Sequence, residues 1–92
     1  MEKQLSDFSC FAEYRNRQIV LNYYQDDDFL WKRDGFHFES VKLAEEKLIF
    51  LKKDGQVAAV HLGDFDEVVI NTDFPNYYIC RKYSDRLEIY FP

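Results

Sequence analysis

Asp54-Gly55 lies between two largely apolar runs, Leu48 to Lys53 and Gln56 to Leu62. Asp-Gly in that setting is the strongest short signal for a β-hairpin, because a type I′ turn needs positive φ at both central positions. The segments downstream are consistent with it. Gly63 breaks the second run, and Glu67-Val68-Val69-Ile70-Asn71 starts another strand. Asn71 to Asn76 contains Pro75 and reads as a loop. Tyr77 to Tyr83 is rich in β-formers, Ser84-Asp85 is a short turn, and Leu87, Ile89 and Phe91 alternate with Glu88 and Tyr90.

The amino-terminal half has two readings in two places. Phe36-His37-Phe38 and Val41-Lys42-Leu43 both alternate, with a phase slip at Glu39-Ser40 that a bulge explains. The rival is a helix from Val41 to Lys53, N-capped by Ser40 and carrying Ala44-Glu45-Glu46-Lys47. Leu48 to Leu51 is continuously apolar and leads into Asp-Gly, which favours strands. Further upstream, Ser6-Asp7 caps a short helix carrying Leu5, Phe8, Phe11 and Ala12, or Phe8 to Tyr14 and Gln18 to Tyr24 form a hairpin. The expectation is one mainly β domain over residues 1–92, an antiparallel meander of six or more strands in a small barrel or sandwich. One short helix would make it α+β.

The chain has 92 residues, too few for a deep active-site cleft beside a core. Nine Phe, seven Tyr and one Trp let few side chains fill that core. Met1-Glu2-Lys3-Gln4 is followed by no apolar run long enough for a signal peptide or a membrane span. Cys10 and Cys80 form no redox or zinc motif and read as free thiols. These features predict a cytoplasmic protein without a membrane association.

No catalytic motif stands out. His37 alternates away from Phe36 and Phe38. His61 shares a face with Val57 and Ala59 and is expected to be partly buried. Neither has the spacing of a metal or triad motif, so a small enzyme with a His/carboxylate site is only an alternative. Asp26-Asp27-Asp28 reads as a solvated acidic loop, since consecutive side chains on an extended chain diverge. Asp64-Phe65-Asp66 lacks the rest of a calcium loop. No cofactor and no metal are expected. The basic pairs Lys32-Arg33, Lys52-Lys53 and Arg81-Lys82 are opposed by a net charge of −5, which argues against direct nucleic-acid binding.

That negative charge has an address. The window from Asp54 to Ile79 holds Asp54, Asp64, Asp66, Glu67 and Asp73 and no Lys or Arg. Removing those five from the 17 acidic residues leaves 12, equal to the Lys and Arg total of 12. Turns of a meander gather at the ends of a sheet, so the window predicts an acidic docking face with exposed Tyr78 and Tyr90 nearby. The expected function is a non-catalytic protein-binding module, an inhibitor or adaptor. Its expected partner is a protein with a basic surface; the chain itself is a monomer or homodimer.

In size and charge the chain resembles small acidic phage-encoded inhibitors of host nucleases, which implies imitation of a nucleic-acid backbone. Leu48 to Ile70 followed by Tyr77 to Phe91 resembles the β-meander of bacterial pleckstrin-homology-like domains. The resemblance rests on the DG hairpin, the Gly-Asp-Phe-Asp-Glu turn and two closing strands. It implies a small β domain with a structural or ligand-binding role. Those domains close with a capping helix, whereas this chain stops on a strand at Pro92.

Overall fold

The computed structural model describes residues 1–26 and 28–92. Eight strands run in chain order: β1 (Glu2–Gln4), β2 (Arg15–Gln25), β3 (Phe29–Ala44), β4 (Lys47–Lys52), β5 (Val57–His61), β6 (Glu67–Asn71), β7 (Tyr77–Lys82) and β8 (Asp85–Tyr90). They form one antiparallel sheet in the order β1-β6-β7-β8-β2-β3-β4-β5. Two meanders, β2 to β5 and β6 to β8, are joined where β8 pairs with β2. β1 and β5 are the free margins.

A sheet this wide must roll to bury one face. Inward residues from β2 through β8 share a single apolar cluster that runs from Val60 on β5 to Val68 on β6. Phe11, Phe38, Phe50 and Phe91 are its largest members. Phe91 plugs one end of the roll, stacked on Tyr14 at 3.9 Å and edge-on to Phe38 at 5.9 Å. Phe11 arrives on the 3-10 turn Phe8–Glu13, where the Ser9 amide is capped by the Asp7 carboxylate. The short capped helix at Ser6-Asp7 is therefore the correct reading of that segment, and the hairpin alternative is not formed.

Residues 41–44 and 47–52 are strands joined by a turn, and no helix forms there. The slip at Glu39-Ser40 is a register shift in the β3–β4 pairing, as a bulge requires. The Asp54-Gly55 hairpin forms, but with a different turn. Only Gly55 takes positive φ, at 88°, and its N–H donates to the Lys52 carbonyl at 3.0 Å. This is a type I turn closed by a glycine bulge, with Lys53, Asp54 and Gly55 as the loop. The Asp54 carboxylate accepts from the Gln56 N–H at 3.0 Å and holds the turn.

The turn with two positive φ values lies elsewhere. Glu45 and Glu46 have φ of 53° and 60° and link β3 to β4 directly, with Ala44 opposite Lys47. The β7–β8 turn is Tyr83-Ser84, one residue earlier than its composition suggests, with Lys82 opposite Asp85. Asp26 and Asp28 lie in the β2–β3 connection, and Asp27 falls outside the described residues. Among the described residues no helix is long and apolar enough to cross a membrane.

Candidate partner-binding surface

The two margins of the sheet differ. β1 is three residues long and carries Glu2 and Lys3, the usual devices that blunt an edge. β5 is Val57-Ala58-Ala59-Val60-His61, without Lys, Glu or Pro. The Lys52 N–H donates to the Gln56 carbonyl, so the alternation turns the backbone groups of Val57, Ala59 and His61 away from β4. Their side chains point outward as well. Val57 is 62% exposed, and beside it Leu51, Ile49, Ser40 and Lys42 line a groove of about 300 Å³. His61 is exposed and not partly buried, because it stands on this outer face at an unpaired margin.

The acids of the window are not displayed as one patch. Asp54 and Asp64 lie beyond opposite ends of β5, and Glu67 and Asp73 at opposite ends of β6. Five strand residues span roughly 16 Å, about twice the screening length in cell salt. Two of the five also have cationic partners. Arg81 stands opposite Glu67 across the β6–β7 ladder and donates to its carboxylate at 3.2 Å. The same guanidinium makes a bidentate pair with Glu2 at 2.7 Å. Asp73 pairs with the amino terminus, which the β1–β6 pairing brings alongside.

A different acidic group does form. The Glu45-Glu46 turn packs on Gly63, whose N–H donates to the Glu46 carbonyl at 3.2 Å. The Glu46 carboxylate lies close enough to crowd a Cβ placed on Gly63. Glu46 is therefore brought to the segment that carries Asp64 and Asp66 at the His61 end of β5, where Lys47 stands opposite His61. None of the three makes an ion pair among the described residues. Sequence reading missed Glu46 because it precedes the cation-free window and meets Asp64 only through the fold.

Tyr78 is not an exposed contact residue. It is 3% exposed, because alternation along β7 sends Tyr78 and Cys80 inward and Tyr77, Ile79 and Arg81 outward. Its hydroxyl belongs to an internal chain with Tyr14 and Asn76. Tyr90 does lie on the outer face, with its ring 6.0 Å from Tyr77. Tyr77, Tyr90, Phe74, Pro75, Asn71, Ile79 and Glu88 line an open cavity of about 500 Å³ there.

Reactive chemistry has little support in the titratable groups. A second cavity, of about 370 Å³, is lined by Cys10, Glu13, Tyr14, Arg15, Arg17 and Tyr78. Burial pushes the Cys10 thiol above its ordinary value, with Asp7 and Glu13 adding to the shift. The thiol stays protonated, the opposite of an activated nucleophile. Burial likewise pushes Cys80 up to about 12. Among the described residues no group of three His, Cys, Asp or Glu converges as a metal site would require. No family model, curated protein or solved structure matches the chain.

Proposed function

We propose that the chain is a non-catalytic protein-binding module that receives an extended segment of a partner along β5. The carrying observation is the unguarded β5 margin, which ends on the acidic group of Glu46, Asp64 and Asp66. Backbone pairing supplies affinity in such an arrangement, and the flanking charge selects the partner. Basic residues on the partner complement this corner, so the expectation of a basic partner surface is kept while its address moves.

A second copy is the weaker occupant. Antiparallel self-pairing about Ala59 sets Val57 opposite His61, and beyond them Asp54 approaches Asp64 of the other copy at both ends. The acidic corner favours a basic foreign strand, and the oligomeric state of the chain separates the two occupants. An inhibitor that occupies a groove made for nucleic acid has the same charge requirement as an adaptor. Competition between DNA and the chain for the captured partner separates them. The free thiols Cys10 and Cys80 support a reducing, cytoplasmic setting.

The test is capture of partners by the tagged chain at low salt, with two variants. Ala59→Lys guards the margin, and Asp64→Lys with Asp66→Lys reverses the corner. Both should lose the captured protein while melting within a few degrees of the parent. Retention of the same protein by both variants counts against the reading. A concentration-dependent dimer that Ala59→Lys abolishes would assign the margin to a second copy instead.

A further inference from the structure

The outer face of β7 and β8 carries an open cavity lined mainly by aromatic and apolar side chains. Outward positions of a small sheet are ordinarily polar. Here Tyr77 and Tyr90 stand opposite each other, with ring centroids 6.0 Å apart and planes tilted by 48°. Phe74, from the β6–β7 loop, adds a third ring 6.1 Å from Tyr77 at 50°. Phe74 is 61% exposed, a large apolar side chain left in water beside two others. The three rings line one open cavity, and an aromatic lining of this kind can receive an organic cation.

The remaining lining fits that ligand. Ile79 and Pro75 are apolar, suited to a methylene stem. Glu88 supplies the one formal charge in the lining, a carboxylate whose side chain is only 14% exposed. Arg86, outside the lining, donates to Glu88 through Nε at 3.0 Å and lays its guanidinium over the Tyr24 ring at 4.1 Å. Burial holds the Tyr77 hydroxyl pKa above its ordinary value, and the Glu88 carboxylate adds to the shift. The chain's net charge of −5 draws cations toward such a site from a distance.

We propose that this cavity receives a lysine or arginine side chain of a partner protein, its stem against Ile79 and Pro75 and its charge among Phe74, Tyr77, Tyr90 and Glu88. The inference stands on the cavity's own geometry. It does not depend on strand pairing at β5, which lies at the far margin of the sheet.

The experiment is a titration of the isotope-labelled full chain, followed by amide chemical shifts. Three probes are compared: N-acetyl-lysine methylamide, its arginine counterpart, and the norleucine counterpart, which keeps the stem without the charge. The two cations should shift the amides of Asn71, Tyr77, Ile79, Glu88 and Tyr90 saturably, and norleucine should bind at least about tenfold more weakly. Glu88→Gln and Tyr90→Leu should each weaken the cations and leave norleucine unchanged. Equal binding of norleucine, or shifts spread over the surface acids without saturation, would overturn the proposal. So would undiminished cation binding by Tyr90→Leu, a substitution at an exposed position outside the core. A short Ala-Ser peptide with one central lysine separates the sources. Binding as tight as the free derivative supports a protein side chain, and exclusion of the peptide would assign the cavity to a small amine and refute that source. The β5 variants should leave all these shifts intact, so the two surfaces fail separately.

Discussion

The hydroxyl oxygens of Tyr14 and Tyr78 lie 2.8 Å apart, and the direction of the bond between them is fixed by a third residue. Tyr14 donates to the Asn76 side-chain oxygen at 2.9 Å, so Tyr78 must donate to Tyr14. The chain of bonds ties the segment after the 3-10 turn to β7 and to the loop before it. Removing the middle member should cost more than removing the first. Tyr78→Phe deletes one donor and leaves Tyr14 bonded to Asn76, at about 1 kcal/mol. Tyr14→Phe leaves a buried Tyr78 hydroxyl with only the Cys10 sulfur nearby, a weak acceptor, and should cost about 1–3 kcal/mol. Urea denaturation of the two variants checks the order, and a larger loss in Tyr78→Phe would contradict it.

The same burial makes the fold sensitive to alkali. Tyr77, Tyr78 and Cys80 all have pKa values raised above their ordinary ones, with burial as the largest cause. The folded chain therefore keeps protons that the unfolded chain releases. Their contribution is complete below the unfolded values and declines as pH rises toward the folded ones. Decline should begin near the ordinary thiol value of 9.0 through Cys80, whose folded value is about 12. It should steepen above 10.0, where unfolded tyrosines ionise. Tyr78→Phe should flatten this limb in denaturation midpoints measured stepwise to about pH 11. An unchanged slope would mean that Tyr78 does not carry it.

The Glu45-Glu46 turn is strained on its own account. Both residues hold positive φ, a region that costs a side-chain-bearing residue about 1–2 kcal/mol. Glu45→Asn with Glu46→Gly should raise stability by about 1 kcal/mol, after the added chain entropy of glycine is counted. Gly63→Ala should destabilise, since its Cβ would lie 3.3 Å from Glu46 Cβ. Placing Gly63→Ala in the Glu46→Gly background should recover most of that loss, and a simple sum of the two effects would show that the contact is not the cause. If β5 is the docking margin, the stabilised turn should also bind partner less well, because Glu46 is part of the acidic corner.

That turn also marks how far sequence carries here. Glu45 and Glu46 are poor type I′ residues and good helix formers, so the local signal pointed to a helix where the chain reverses. Longer-range packing of Leu43, Leu48 and Phe50 into the core overrides it. Asp54-Gly55 correctly marked a hairpin, and Glu39 a bulge, because both depend on neighbours in sequence. The charge window failed for the opposite reason. Glu67 meets Arg81 only through the β6–β7 register, and Asp73 meets the amino terminus only because β1 joins β6. The unguarded edge was equally hidden, since which strand is marginal depends on the pairing order of all eight. Tyr77 and Tyr78 are adjacent and chemically alike, and only the phase of β7 decides that one lines a surface cavity and the other the core.

Loss of Arg81 should reach both an edge and a buried side chain. Arg81 stands opposite Glu67, while Glu2 stands opposite Asn71, and Val69 lies between those positions on the same face. The Arg81–Glu2 bridge therefore passes over Val69, which is 3% exposed although it lies outside the core cluster. Arg81→Gln should uncover Val69 and release β1. Side chains here are about one-third to two-fifths exposed, so the ionic part is screened and a loss of about 1 kcal/mol is expected. Hydrogen exchange gives the sharper readout. The Leu5 and Thr72 amides, which donate to Val68 and Met1 carbonyls at 2.8 and 2.7 Å, should lose protection selectively. Core amides of β2 and β8 should keep theirs. Uniform loss across the sheet would mean that Arg81 supports the whole fold, and unchanged protection at Leu5 and Thr72 would mean that β1 is held by its backbone pairing alone.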